Sequence, residues 1–371
     1  MRLDVARLSV LVVNAGSTSL KLSLVEADEE STPVSTLDAI DPARVEAIGH
    51  RVVHGGTRFR DPVVIDAAVR ARILALEALA PLHNAPALVG IERAGEAFPE
   101  VPQVAVFDTA FHVTIPPEAA VYALPRRWRE EWGIRRYGFH GLSVSWCAER
   151  VADLLDARSG GLRLVVCHLG GGSSVTAVRD GRSIDTTMGF SPLEGVPMST
   201  RSGSVDPGAL VYLLREHGLT ADRLEHALNL ESGLKGLAGG SGDMIDIEQR
   251  AAAGEPDVVL ALDVFLHRLA GAVAAMTASL GGLDALAFTA GIGEHSALIR
   301  ERLCERVGFL GVELDPQRNT TGGHDRDVAA TGSPVRVLVV RAREELVIAR
   351  AVRALLASRA ARPTHGGEPR D

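Results

Sequence analysis

Apolar residues fall along this chain in two rhythms. Val10-Leu11-Val12-Val13 is a continuous apolar run, as in a strand buried on both faces. Leu20, Leu22 and Leu24 then alternate with Lys21 and Ser23, as a half-buried strand does. Between them "NAGSTS" is small and hydroxyl-rich. It predicts either an ordinary tight turn or a hairpin whose N–H groups and hydroxyls face an anion. The plan recurs further on. An apolar strand at 164–167 meets a Gly/Ser turn over 170–174, an outgoing strand runs to Arg179, and Asp180-Gly181 turns into a third strand. Superposing the two segments pairs Asn14 with His168, Gly16 with Gly170 and Ser19 with Ser173. One strand–loop–strand unit per half predicts a duplicated domain with a cleft between the halves.

A third glycine element differs in kind. A strand over 285–289 leads through Gly291-Ile292-Gly293-Glu294 into a helix from about Ser296. Such a turn offers the free N–H groups of a helix start to an anion or nucleotide, and a plain βα turn has the same pattern. No Gly-Lys-Ser/Thr follows, so it is not a P-loop. Helical spacing predicts helices over 86–98, 142–155 (starting at Ser143), 208–217, 258–280 and 344–357, with a frayed tail after them. Strands alternating with helices indicate an α/β protein.

At 371 residues the chain is long enough for two domains, and 46% hydrophobic with 23% charged residues is a globular composition. A formal charge of −8, without any basic block, argues against nucleic acid or an anionic membrane as partner. An anionic substrate must then be held by a few placed cations. Cys147, Cys167 and Cys304 lie far apart, which suggests neither a disulfide framework nor a zinc site. "MRLDVARLSVLVVNAG" lacks a signal-peptide cleavage pattern and no apolar run reaches membrane-spanning length, so a reduced, soluble, cytoplasmic protein is expected.

Candidate chemistry gathers in four stretches: "GHRVVHGG" (49–56), "FDTAFH" (107–112), "RRYGFHGLS" (135–143) and "MSTRSGSVDPG" (198–208). Each sets an Arg, Asp or His at the end of an apolar or strand-like run, where a parallel sheet opens its cleft. Taken singly, Asp108 reads equally as a helix cap, His140 as a core histidine, and Arg51 or Arg201 as half of a structural ion pair.

Together with "PLHNAP", "CHLGGGSS", "TMGFSPLEGVPMSTRSG" and "FTAGIGEHSALIRERL", these blocks resemble, in order from Val10 to about Ala357, the signatures of acetate kinases. The resemblance implies two ribonuclease-H-like domains, duplicated ββαβ-type units flanking a central cleft, as in sugar kinases, heat-shock chaperones and actin. It places the first domain at 1–114 with a C-terminal helix at 346–358, a nucleotide-binding domain at 115–345, and a flexible tail at 359–371.

The resemblance also implies an ATP:acetate phosphotransferase that forms acetyl phosphate with Mg²⁺, for which Mn²⁺ substitutes, and that works as a homodimer. Asn14 and Glu344 would position the metal, and Ser17 and Lys21 would lie near the phosphates. Arg51 and Arg201 would grip the acceptor carboxylate and the phosphoryl group, Asp108 would orient Arg51, and His140 would donate to an equatorial oxygen. Val53, Leu82, Phe139 and Pro192 would line the acceptor's methyl pocket. His168, Leu169, Gly170, Gly171, Gly172, Asp243, Met244, Ile245, Gly291, Ile292, Gly293, Glu294 and His295 would hold the nucleotide.

Gly171, Ile245 and His295 depart from the Asn, Arg and Asn usual in the family, as Ala342-Arg343 departs from Thr-Asn. The segment between the first hairpin and "GHRVVHGG" is also shorter than usual. The first three departures fall on the nucleotide side, which predicts a weak, poorly base-selective donor site. Alternatives are a propionate or other short-chain acyl kinase, a pyrophosphate or non-ATP donor, and a non-catalytic nucleotide-binding module. A module of that last kind has no use for a carboxylate clamp made of Arg51, Asp108, His140 and Arg201.

Overall fold

Two sheets are built on one plan. The computed structural model describes residues 8–15, 20–76, 81–158 and 160–361, with the side chains of 81–83 excepted. The first sheet contains β1 (Val10–Ala15), β2 (Leu20–Val25), β3 (Ser31–Val34), β4 (Ala47–Val52), β5 (Val63–Val64) and β6 (Gln103–Phe107), in the order β3-β2-β1-β4-β6-β5. The second contains β7 (Arg163–Leu169), β8 (Ser173–Arg179), β9 (Arg182–Thr186), β10 (Ala285–Thr289), β11 (Arg326–Asp327) and β12 (Arg336–Val339), in the order β11-β12-β10-β7-β8-β9.

Strand sense repeats as well as order. The β1–β2–β3 and β7–β8–β9 meanders are antiparallel. Pairs β1–β4, β4–β6, β7–β10 and β10–β12 are parallel, and β5 and β11 each close an edge antiparallel. The duplication is therefore real, and it extends to register. Asn14 lies opposite Lys21 on β2 and Arg51 on β4, while His168 lies opposite Ser174 on β8 and Thr289 on β10. Asp180 (φ 52°) and Gly181 (φ 72°) form the two-residue turn that a right-twisted hairpin favours. The first hairpin's loop, with Ser17, lies outside the described residues.

The chain forms two compact units, Met1–Ala110 with Arg343–Asp371, and Phe111–Ala342. In the second unit the parallel strands are buried on both faces. Val165, Cys167 and Leu169 of β7 face one apolar core, and Leu164 and Val166 face the other. In the first unit the helix Glu344–Ala360 packs on β1, β4 and β6. Gly49 makes room for it, because a Cβ there would stand 2.5 Å from Ile348 Cγ2 and 2.9 Å from Val352 Cγ2.

Several expectations need correction. The predicted helix at 86–98 starts earlier, at Pro81, and carries Pro86 in its interior. The segment Ala290–His295 is itself a short helix rather than a turn, and Ser296 caps the next one, Ala297–Arg306, through the Ile299 N–H. Ser143 does not start its helix. His140 is the N-cap residue of Gly141–Leu154, and Ser143 lies inside it. The helix Pro256–Leu280 is long and apolar enough to cross a membrane by length and composition, despite Asp263 and Arg268. It packs against β7 and β8 as the core helix of its unit, burying Leu262, Phe265, Leu266 and Leu269.

Candidate functional site

In the first unit, polar side chains collect where parallel strands end. Asn14 and Arg51 are the penultimate residues of β1 and β4, and Asp108 follows β6 directly. The Asp108 N–H donates to Val52 O at 2.9 Å, which fixes the fully buried carboxylate beside the end of β4. Arg51 Nη2 donates to Asp108 Oδ2 at 2.7 Å and Nη1 to Asn14 Oδ1 at 3.3 Å. Glu344 opens the C-terminal helix. Its Oε2 accepts from Asn14 Nδ2 at 2.8 Å and lies 4.0 Å from Arg51 Nε. Burial works against the Arg51 charge, but Asp108 and Glu344 outweigh it and hold the guanidinium protonated beyond its ordinary range. Among the described residues, Arg51 Nε is buried without a hydrogen-bond partner. Lys21 stands exposed across from Asn14, and Val53, just after β4, is buried. Ser17 and the Leu82 side chain lie outside the described residues.

The second unit assembles its group around the β7–β8 loop. His140 and Arg201 come from loops, not from strand ends as expected. His140 has φ 59°, a left-handed conformation that costs a non-glycine residue about 1–2 kcal/mol. Gly138 two residues earlier is equally constrained, because a Cβ there would strike the His112 ring at 2.6 Å. His112 Nε2 in turn lies 2.9 Å from the carbonyl of the buried Phe139. The His140 ring stacks on that of His168, centroids 3.9 Å apart and planes 15° from parallel. Each Nδ1 has a hydroxyl partner, Ser174 Oγ at 3.0 Å for His140 and Ser143 Oγ at 2.9 Å for His168. Gly172 lies against both candidate cations, since a Cβ there would meet His140 Nε2 at 3.2 Å and Arg201 Nη1 at 3.4 Å. Arg201 Nη1 donates to the carbonyl of buried Pro192 at 3.4 Å.

The remaining nucleotide-side candidates divide. Leu169 and Met244 are core residues at 0% and 5% exposure, so their side chains serve packing. Asp243 caps the helix Met244–Ala252 through the Ile245 N–H (2.9 Å), and the Ile245 side chain is 69% exposed. Gly170 N donates to Gly172 O at 3.0 Å, while Gly171 and Gly291 border open space. Gly293 and Ile292 pack against the core. Glu294 accepts from the Ala342 N–H at 3.0 Å and lies 3.4 Å from His324 Nδ1, whose ring meets His295 edge-on.

Arg300, which sequence reasoning passed over, is 1% exposed beneath this segment. It donates to the Gly293 and Glu294 carbonyls (2.9 Å each) and to Asn319 Oδ1 (2.7 Å) and O (2.8 Å). All are neutral, so burial, helped by the nearby Arg326, lowers its pKa to about 10. Nothing in the spacing of "IRERL" marks a buried cation.

The stacked histidines at the second glycine loop, and Asn14, Arg51 and Asp108 at the ends of the first sheet's parallel strands, belong to the same blocks that carried the sequence resemblance. The acetokinase family profile matches residues 34–350. This chain belongs to the acetokinase family. As an acetokinase it is an enzyme of phosphoryl transfer. It is 52% identical to the acetate kinase of Nostoc punctiforme over 309 residues, 83% of this chain and 76% of that protein. It is 47% identical to that of Microcystis aeruginosa over 351 residues, 92% and 87%. Among solved structures, a propionate kinase from Francisella tularensis superposes with a TM-score of 0.86 at 37% identity, covering 93% of this chain and 98% of that one. Porphyromonas gingivalis acetate kinase gives 0.83 at 32% identity, covering 94% and 100%.

Proposed function

We propose that this acetokinase transfers the terminal phosphoryl group of ATP reversibly and directly to the carboxylate of acetate, forming acetyl phosphate and ADP. The observation that carries the reading is the Arg51 guanidinium at the end of β4, kept charged by Asp108 and Glu344. A carboxylate is ionised at neutral pH, so the acceptor needs no base. Transfer brings two anions together through a loose, metaphosphate-like state, and the protein's work is positioning and neutralisation. Arg51 and Arg201 would hold the acceptor and the group in flight, and Asp108 would orient Arg51. His140, its Nδ1 tied to Ser174, would present its other nitrogen as a donor to an equatorial oxygen.

The donor would lie on the second unit, its phosphates along Gly170–Gly172 and His168, its nucleoside near Asp243–Ile245 and Gly291–His295. Ser17 and Lys21 would add contacts from the first hairpin. Asn14 donates through its amide nitrogen to the Glu344 carboxylate and turns its amide oxygen to Arg51, so amide and carboxylate oxygens stand together as hard donors of the kind Mg²⁺ would take through one carboxylate with water and phosphate oxygens. When bound, the metal neutralises phosphate charge. Val53, Leu82, Phe139 and Pro192 would form the acyl pocket.

A cytoplasmic setting and a homodimer belong to the same reading. The helix Pro207–Glu216 supports the dimer, because it buries none of its residues and exposes Val211 (45%), Tyr212 (56%) and Leu214 (38%).

A second reading concerns the acceptor. The Francisella relative is a propionate kinase, and one methylene changes discrimination by only about 1–3 kcal/mol. A hydroxylamine-trapping assay with acetate, propionate and butyrate, each with ATP, GTP and pyrophosphate, tests both readings. Acetate with ATP is expected to give acyl hydroxamate. Turnover with pyrophosphate alone, or with no carboxylate, overturns the proposal.

A further inference from the structure

A carboxylate that the reaction does not use holds the segment carrying Pro192. Glu194 lies two residues beyond that proline and is gripped from two sides. Arg136 Nη2 donates to Oε1 at 2.9 Å, and the Tyr122 hydroxyl donates to Oε2. The same hydroxyl accepts from the Phe190 N–H at 2.9 Å, so the phenol bridges Phe190 and Glu194 on either side of Pro192. Arg136 Nη1 also binds three successive carbonyls where β9 ends, Thr186 (2.7 Å), Thr187 (3.0 Å) and Met188 (3.1 Å). Its guanidinium carbon stands 5.6 Å over the Tyr122 ring. Gly189 lets this cluster form, because a Cβ there would overlap the Glu194 carboxylate and the Tyr122 hydroxyl. Burial and the carboxylate hold the phenol well above its usual range, so Tyr122 stays a donor at any working pH. The segment's far end is anchored to Ser204, which donates through N–H to Gly195 O at 2.8 Å and accepts from the Gly195 N–H at 3.1 Å.

We propose that Glu194, held by Tyr122 and Arg136, is the positioning residue for the acid site. It fixes the 189–197 segment so that the Pro192 wall and the carbonyl receiving Arg201 stand in one place. The inference rests on the acyl-kinase reading for its kinetic consequence and on geometry alone for its structural one. None of the three is among the residues assigned to the acid or the nucleotide. They act through Pro192 and Arg201, so the effect falls on the acid rather than on the nucleotide.

Two measurements on the full chain separate these layers. In Tyr122→Phe and Glu194→Ala, hydrogen exchange of backbone amides in 189–201 is expected to speed up about tenfold, the scale of one lost hydrogen bond to a charged group. Glu194→Gln keeps an oxygen for Arg136 and falls between them and the parent. In the kinetic arm the KM for acetate rises about tenfold and the preference between acetate and propionate narrows, while the KM for ATP stays within about twofold. Exchange in 189–201 indistinguishable from the parent in both variants overturns the proposal, as does an equal rise in KM for acid and ATP. A parent protein with no carboxylate-dependent turnover fails the acyl-kinase reading, and the exchange arm still decides whether Glu194 holds the segment.

Discussion

A single guanidinium at the end of β4 illustrates how this protein makes charge useful. Arg51 is surrounded by two carboxylates and an amide, so its orientation is set before any ligand arrives and it need not reorganise during transfer. Arg51→Ala and Arg201→Ala are each expected to leave a folded protein whose turnover falls roughly 10³-fold, the scale of arginines that stabilise a phosphoryl in flight. Turnover within about tenfold of the parent would leave less than ~1.4 kcal/mol for the arginine and contradict its role. His140→Gln keeps a donor where His140→Ala keeps none, so the glutamine variant should retain more activity if the histidine donates rather than acts as a base.

At the scale of the element, β4 carries a buried titratable group as well as Arg51. His50 is 1% exposed, its Nε2 lies 2.7 Å from the Gln103 amide, its Nδ1 has no partner among the described residues, and burial lowers its pKa to about 4. The unfolded chain then binds a proton near pH 6.5 that the folded chain refuses until about pH 4. Stability therefore rises with pH through this window, and acidification from pH 7 to pH 4 removes on the order of 3 kcal/mol. Urea melts at both pH values, compared with His50→Gln, test this. The variant should lose about one proton's worth of pH dependence, and an unchanged slope would contradict it. On the same strand, Gly49→Ala drives a methyl into Ile348 and Val352, and a loss of about 1–3 kcal/mol is expected from overpacking.

These elements also show what was legible beforehand. The two hairpins were readable because strand-like apolar runs and small, Gly/Ser-rich joints are local signals, and the pairing of Asn14 with His168 followed from them. Ala290–His295 was not, because its glycines imitate a turn and its helical state depends on Arg300 holding two of its carbonyls from below. His140 and Arg201 lie in loops rather than at strand ends, and a loop gives no periodic signal by which to place them. The Tyr122–Arg136–Glu194 cluster joins residues 58 and 72 positions apart, and no pattern in one sequence announces such a meeting.

For the whole molecule, duplication of one sheet plan lets a single backbone device serve twice, with Asn14 at one strand end and His168 at the other. A homodimer is expected by light scattering, and Tyr212→Glu should weaken it. Dimer mass unchanged in that variant would move the interface elsewhere. The central claim is that the terminal phosphoryl of ATP goes to a carboxylate. Phosphorus NMR of the purified protein with ATP, Mg²⁺ and acetate tests it most directly. Acetyl phosphate and ADP should appear together in equal amounts, and only when acetate is present. ADP appearing with inorganic phosphate at the same rate with and without acetate would contradict the account.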